Sequence, residues 1–246
     1  MPDRTWQPLT DELARWRDAG RTAELWLRDD DAVEPSVPLE RLLKAGRPGI
    51  PTTLAIIPAG ATQALADRLA GEAHVTVGVH GWAHTNHAGA DEKKQELGPQ
   101  RPAPVVLAEL AKGKAVIDGL FGPQALPLLV PPWNRVDAAL LPELGDLGFA
   151  GLSAFGRAKA APLRVINTHV DLMDWHAGRG GKDHATLVGE LLKELRARRE
   201  TGSTEPIGIL AHHLVHDETA WAFLDRLFDV TAGNAGSRWA DVRTHL

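Results

Sequence analysis

The residues of this chain best suited to chemistry are three consecutive aspartates, Asp29 to Asp31, and two histidines four positions apart, His80 and His84. A carboxylate and two imidazoles can hold a divalent cation and leave coordination positions open, as a metal ion that activates water requires. The histidine spacing alone is weak evidence, because 11 His in 246 residues give about half of one such pair by chance. The position of both clusters directly after apolar runs strengthens the interpretation as a metal site.

The elements that must position these residues can be read from the hydrophobic pattern. Short apolar runs alternate with amphipathic stretches, which favours βα units and a largely parallel sheet. The pattern predicts seven strands, at 24–28, 53–57, 74–79, 125–130, 149–153, 163–167 and 207–211. It predicts helices at 36–46, 62–69, 103–120, 137–147 and 186–198, and a last helix opened by Asp217. This is an α/β fold, expected to be a closed or nearly closed parallel barrel, with a flat doubly wound sheet as the alternative.

Other polar and aromatic residues follow later predicted strands. These are Pro131-Pro132-Trp133 after the fourth strand, Asp174-Trp175 just past the sixth and His212-His213 after the seventh. The carboxyl ends of parallel strands share one edge, where catalytic groups collect because the loops there can vary without disturbing the core. We therefore expect the aspartate trio, the His pair and these three clusters to build one site.

Composition narrows the class of protein. The length fits one domain over 1–246, and a net charge of -5 without a basic stripe argues against a nucleic-acid partner. With no Cys, histidine and carboxylate must bind any metal. The sequence has no 18-residue apolar run, and its N-terminus lacks the basic start and apolar core of a signal peptide, so we expect no membrane partner and a cytoplasmic location. Oligomeric state is left open.

The order of these motifs resembles that of the polysaccharide deacetylases, carbohydrate esterase family 4, which includes the nodulation-type chitooligosaccharide deacetylases. Asp-Asp, His-x-x-x-His, a Pro-Pro-aromatic turn, Asp-Trp and a late apolar-x-His occur in that order between Leu25 and about His213. The resemblance implies a distorted (β/α)7 barrel, which agrees with the seven predicted strands. It also implies metal-dependent removal of N-acetyl groups from a carbohydrate.

The first motif of the family ends in Thr-Phe-Asp-Asp-Gly. Matched to the segment from Arg28 to Ala32, it implies that Asp30 is the catalytic base and Asp31 a metal ligand. A register shifted by one residue would make Asp29 the base and Asp30 the ligand. Successive strand residues point to opposite faces, so the three aspartates can face one ion together only if the backbone turns there.

The second motif, His-Ser/Thr-x-x-His, implies that His80 and His84 are the two imidazole ligands, with Gly81 in place of the hydroxyl residue. The implied metal is Zn2+, or another divalent ion such as Co2+ or Ni2+, because a site of two His and one carboxylate is permissive.

The third motif departs from the family, because the segment after the fourth strand has no Arg in the expected place. We expect Arg135, or as an alternative Arg28, to tune the base through a paired hydrogen bond. Pro132 and Trp133 are expected to contact substrate.

The last two motifs imply the acid side of the reaction. Asp174 resembles the carboxylate that orients the catalytic histidine, Trp175 is expected to wall the pocket, and His212 is the implied general acid that donates a proton to the departing amine. The expected substrate is an N-acetylated saccharide. Two alternatives stay open: hydrolysis of a C–N bond in a small non-sugar amide, and a non-catalytic relative that only binds metal or sugar.

Overall fold

Strands and helices alternate along most of the chain, as the hydrophobic pattern predicts. The computed structural model describes residues 4–46, 49–176, 178 and 180–246. Its helices and strands are α1 Gln7–Asp18, β1 Ala23–Ala32, α2 Val37–Ala45, β2 Thr52–Ile56, α3 Gln63–Leu69, β3 Val75–His80, α4 Ala103–Phe121, β4 Ala125–Val130, β5 Gly151–Leu152, β6 Arg164–Val165, β7 Thr168–Asp171, α5 His184–Thr201, β8 Ile207–Ala211, α6 Glu218–Thr231 and β9 Ser237–Trp239. Within the described ranges, no helix is both long and apolar enough to cross a membrane.

The chain forms two compact units that interleave along the sequence. The first unit consists of Met1–Asp29, Val37–Thr52 and Thr168–Val242. The second consists of Asp30–Ser36, Thr53–Asn167 and Arg243–Leu246. The boundary therefore falls inside β1, between the first two members of the aspartate trio. A single domain over 1–246 stays a prediction.

The first unit is built on the parallel pair β1 and β8. Their register runs from Leu25 opposite Ile207 to Asp29 opposite Ala211. Strand β7 pairs with β8 in parallel, and β9 pairs in parallel with the start of β1. All residues of β8 are buried, as expected for an apolar strand covered on both faces.

The second unit continues the parallel pattern. Its strands lie in the order β6, β5, β4, β3 and β2, and the pairs β3–β4, β4–β5 and β5–β6 are parallel. Strands β2 and β3 are buried along their whole length, and α4 packs against β3 and β4. The carboxyl ends of these strands point the same way, so β3 delivers His80 and β4 delivers Val130 to one edge of the unit.

The predicted elements agree with the structure except at four places, the first of which is helix α1, Gln7–Asp18, which was not predicted. All seven predicted strands are present, although β5 and β6 are shorter than expected. Strands β7 and β9 were not predicted, because each is short and rich in polar residues. The helix expected at 137–147 is wrong: only a 3-10 helix, Ala138–Glu143, forms there. Pro142 lies inside that segment and lacks the amide hydrogen that an α-helix needs.

Candidate metal centre and histidine cluster

The three predicted metal ligands, Asp31, His80 and His84, meet in the second unit. The Oδ1 atom of Asp31 lies 3.2 Å from Nε2 of His80 and 3.4 Å from Nε2 of His84. One ligand atom from each residue lies within 4.8 Å of the others, and His80 is buried while the other two are half-buried. A carboxylate oxygen and two imidazole nitrogens at this separation fit a divalent cation and leave room for further ligands. We call these three residues the metal triad.

The backbone turn that the aspartate trio requires occurs at Asp31. Its φ is 79°, in the left-handed region that residues other than glycine seldom adopt. The turn separates the carboxylate of Asp31 from those of its neighbours and directs it to the two histidines. Asp31, rather than Asp30, therefore supplies the carboxylate of the triad, while Asp30 is almost fully buried beside it, with 2% exposure.

A hydrogen bond to the end of β4 determines which nitrogen of the His80 ring always carries a hydrogen. Its Nδ1 lies 2.9 Å from the carbonyl oxygen of Val130 at the end of β4. A carbonyl only accepts, so Nδ1 carries a hydrogen, and Nε2 is the nitrogen that can offer a lone pair to a metal once it is deprotonated, as in many metal-binding histidines. Burial disfavours the charged ring, but Asp30 and Asp31 outweigh burial and raise the pKa of His80.

His84 is in a different environment. Burial and the neighbouring His80 lower its pKa despite the attraction of Asp31, so the ring favours the neutral form that binds a metal. Its φ is 55°, again left-handed. Its ring centroid lies 4.2 Å from that of Trp133 and 5.1 Å from that of His80. The rings of Trp133 and His80 therefore limit the movement of the His84 ring.

The loop between the two histidines is held by a carboxylate that the sequence analysis missed. Glu96 accepts hydrogen bonds from the backbone N–H of Trp82 at 3.0 Å, Ala83 at 2.9 Å and Thr85 at 3.1 Å. It is 1% exposed. No local signal distinguishes Glu96, because it ends a run of charged and polar residues typical of a solvated loop.

The turn after β4 supports the same loop. Trp133 and Asn134 have φ of 54° and 57°, which places the Trp133 ring against His84. Pro132 is buried next to Gly81, where a Cβ atom would come within 2.6 Å of its Cδ. Pro132 thus packs beneath the loop, whereas Trp133 remains half-buried.

Arg135 is not brought to the aspartates. Its guanidinium donates to the carbonyl oxygen of Lys94 at 2.9 Å and, within the part of the chain that is described, forms no ion pair. The alternative, Arg28, has 0% exposure. A guanidinium is almost never buried so completely without acceptors, and the alternation along β1 puts Arg28 on the same strand face as Asp30.

The first unit contains a second cluster, which we call the histidine cluster: His212, His213 and His216 with Asp29. The Asp29 carboxylate contacts Nδ1 of His213 at 2.5 Å and accepts from the His213 backbone N–H at 2.8 Å. Both side chains are fully buried. The pairing of Asp29 with Ala211 in the β1–β8 ladder brings the carboxylate to the residues that follow β8.

His216 completes the turn that follows β8. Its Nε2 accepts from the backbone N–H of His212 at 3.1 Å. Burial is the main cause that lowers the pKa of His216 to about 4, so the ring is neutral near pH 7. The proton of this neutral ring must therefore sit on Nδ1.

The environment of His212 differs from the one expected. Its Nδ1 is buried and has no hydrogen-bond partner in the described part of the chain. Asp174 therefore does not hold this nitrogen; one of its oxygens accepts from the backbone N–H of His176 at 3.0 Å. Instead, Trp175 meets His212 edge-on at 4.8 Å between ring centroids, and its Nε1 donates to Asp171 at 2.8 Å. Trp175 is 40% exposed.

Comparison with known proteins identifies the fold of the chain, through solved structures and not through sequence matches. No protein-family model matches the sequence, and no curated protein matches it significantly. Solved structures do match. A candidate polysaccharide deacetylase from Mycobacterium smegmatis superimposes with a TM-score of 0.64 at 16% identity, covering 92% of this chain and 89% of that one. The family 4 carbohydrate esterase of Streptomyces lividans, in complex with acetate, gives 0.57 at 18% identity, with coverage of 89% and 92%.

A third match is a family 4 acetyl xylan esterase from Clostridium thermocellum in complex with a cobalt ion. It has a TM-score of 0.53 at 16% identity and covers 88% of this chain and 87% of that one. Such coverage in both directions shows that the chain has the fold of carbohydrate esterase family 4 over nearly its whole length. The predicted distorted (β/α)7 barrel is therefore confirmed, in place of the flat doubly wound alternative.

Proposed function

We propose that this protein is a metal-dependent hydrolase that removes N-acetyl groups from a carbohydrate. The observation that carries the proposal is the metal triad, whose carboxylate oxygen and two Nε2 atoms converge within 4.8 Å at the ends of β1 and β3. The fold shared with a family 4 carbohydrate esterase and an acetyl xylan esterase supports the same class of substrate.

The donor set fits a divalent metal. The hydrogen bond from Nδ1 of His80 to Val130 leaves Nε2 as the nitrogen that would coordinate a metal after losing its proton, and the lowered pKa of His84 favours its neutral form. Asp31, His80 and His84 would hold Zn2+, Co2+ or Ni2+, since two imidazoles and one carboxylate accept each of these ions. When bound, such an ion supplies Lewis-acid chemistry and lowers the pKa of water.

The protein side chains would move the protons. Asp30, buried next to the triad, takes the proton of the attacking water while the water oxygen bonds to the carbonyl carbon. Arg28 is the better partner for that base, because the guanidinium of Arg135 is bound to the Lys94 carbonyl. The C–N bond then breaks as His212 protonates the departing amine, which leaves acetate and the free amino sugar.

Aromatic side chains would position the sugar. Trp133 beside His84 and the exposed Trp175 beside His212 each offer a ring face or edge at a catalytic residue. Asp174 contributes by fixing the turn that carries Trp175, through the backbone of His176. The substrate would be an N-acetylated saccharide, and the protein would act in the cytoplasm, as expected from the sequence.

The test is acetate release by protein reconstituted with Zn2+, Co2+ or Ni2+, using N-acetylglucosamine and short chitooligosaccharides. We expect acetate and free amine in equal amounts, and none from Asp31→Asn, whereas Asp146→Asn on an exposed turn should behave as the parent. Metal-loaded protein that released amine only from small non-sugar amides would favour that alternative. Metal-loaded protein that bound sugar without any release would favour a non-catalytic relative.

A further inference from the structure

We propose that Glu96 is the positioning residue of the metal triad: it fixes the loop from Gly81 to Thr85, and thereby the distance between the two imidazole ligands. The inference rests on the proposed metal site and deepens it. Glu96 is not itself a ligand, because both its oxygens face backbone N–H groups of the loop.

The first argument is the number and kind of its contacts. One carboxylate accepts hydrogen bonds from three backbone N–H groups, those of Trp82, Ala83 and Thr85, in a loop that directly follows His80 and contains His84. Hydrogen bonds to an ionised acceptor are roughly twice as strong as neutral ones. With 1% exposure, water has no access to replace Glu96. The conformation of the loop therefore depends on this side chain.

The second argument is that the backbone of the loop adopts an unfavourable conformation, which needs a group to hold it. Gly81 has a φ of 59° and His84 a φ of 55°, and the latter conformation is unfavourable for a residue with a Cβ atom. Such conformations persist only where the surroundings determine them strongly. Glu96 bonds the residues on both sides of His84, so it is the group best placed to hold the ligand in that conformation.

The third argument is that Glu96 is itself held in place. The guanidinium of Arg101 donates to the backbone carbonyl of Glu96 at 3.2 Å and pairs with Glu109 of α4 at 2.7 Å. On its other side the loop is confined by Pro132 and by Gly113 of α4, where a Cβ atom would lie 3.1 Å from the Gly81 carbonyl oxygen. The position of Glu96 is thus restrained by its surroundings, and its hydrogen bonds determine the backbone conformation of the loop.

The experiment measures metal affinity, without any substrate. Metal-free parent, Glu96→Gln and Glu96→Asp are titrated with Zn2+ against a chromophoric chelator, and the visible absorption of each Co2+ complex is recorded. The matched control is Glu92→Gln, four residues earlier, whose exposed carboxylate accepts a hydrogen bond from the backbone N–H of Gly89, outside the loop. Thermal unfolding of the metal-free forms shows which variants fold.

We expect Glu96→Gln to bind Zn2+ about 10- to 100-fold more weakly than the parent, with an altered Co2+ spectrum, and Glu92→Gln to match the parent. Glu96→Asp keeps the charge but loses the reach of one methylene, so it too should bind more weakly. Glu96→Asp also decides the matter if Glu96→Gln does not fold. Parent-like affinity in Glu96→Asp would overturn the inference, because the charge alone would then be sufficient.

Failure of this inference is distinguishable from failure of the proposed function. A parent that binds metal together with a Glu96→Gln variant of equal affinity and spectrum overturns the positioning role and leaves the hydrolase proposal intact. A parent that binds neither Zn2+ nor Co2+ overturns the metal site, and the role of Glu96 with it.

Discussion

Each unit contains a histidine-bearing segment held by one buried carboxylate, and the two carboxylates hold their segments differently. Glu96 in the second unit bonds only backbone N–H groups, which leaves the rings of His80 and His84 available to a metal. Asp29 in the first unit bonds both the backbone and the ring of His213, so that ring nitrogen is already engaged. A carboxylate that binds backbone shapes a site, whereas one that binds an imidazole fixes the orientation and tautomer of that ring.

Backbone strain separates the two units in the same way. Among the described residues, the four non-glycine residues with positive φ are Asp31, His84, Trp133 and Asn134, and all belong to the second unit. Two of them belong to the triad, and Trp133 packs against one of these. Strain of this kind costs about 1–3 kcal/mol per residue and collects at functional sites, so the second unit has the features of a ligand site built at the expense of stability.

The comparison of the two units is tested most strongly by replacing one of the proposed metal ligands, for which we expect the largest effect. His84→Ala should reduce bound Zn2+ from near one equivalent to little, with an affinity loss well above the roughly 100-fold expected for an outer contact. Its ring is 24% exposed, so the fold should survive. Elemental mass spectrometry after dialysis measures the metal. His87→Ala, three residues further on, is the control, and equal metal content in both variants would contradict the triad.

We expect the next largest effect from replacing the proposed catalytic base, Asp30. Asp30→Asn should lower kcat by about 10²- to 10⁴-fold, because the attacking water loses its proton acceptor. Metal content should stay at the parent level, since Asp31 and not Asp30 completes the triad. Steady-state acetate release and metal analysis on the same sample test both statements. Loss of metal together with activity would instead make Asp30 a ligand.

The anchor of the histidine cluster should matter for folding more than for metal. Asp29→Asn leaves His213 without its charged partner in a fully buried site, and breaking such a pair costs about 3–5 kcal/mol. Chemical denaturation near pH 7 measures the free energy of unfolding. Asp31→Asn is the matched variant of a partly exposed aspartate, and an equal or greater loss of stability there would contradict a special folding role for the fully buried Asp29.

The smallest effect concerns pH. The pKa of His216 is lowered to about 4 in the folded protein, against about 6.5 in an unfolded chain. Between these values only the unfolded chain binds the proton, so stability should fall as the pH drops from about 6.5 to 4 and level off below that. His216→Gln keeps an acceptor for the His212 N–H and should flatten the dependence, as denaturation at several pH values would reveal. An unchanged slope would place the acid sensitivity elsewhere, for example at His169, whose pKa is also about 4.

The sequence by itself determined the elements and the ingredients of the site. Periods of two and 3.6 residues depend on which side of an element is buried, so seven strands, the helices around them and the residues at the strand ends could be read locally. The spacing of His80 and His84 and the run of aspartates could also be recognised, because each lies within a few residues of sequence. Where a local rule was overlooked, as with Pro142 inside a predicted helix, the prediction was wrong.

Only the tertiary structure decided which aspartate does what. Asp29 meets His213 across 184 residues of sequence, and the turn at Asp31 sends the last aspartate of the trio to the two triad histidines. Neither contact leaves a trace in local periodicity, because both depend on how β1 pairs with β8 and where its backbone bends. The same holds for Glu96, whose sequence context is that of a solvated loop and whose burial results from long-range packing.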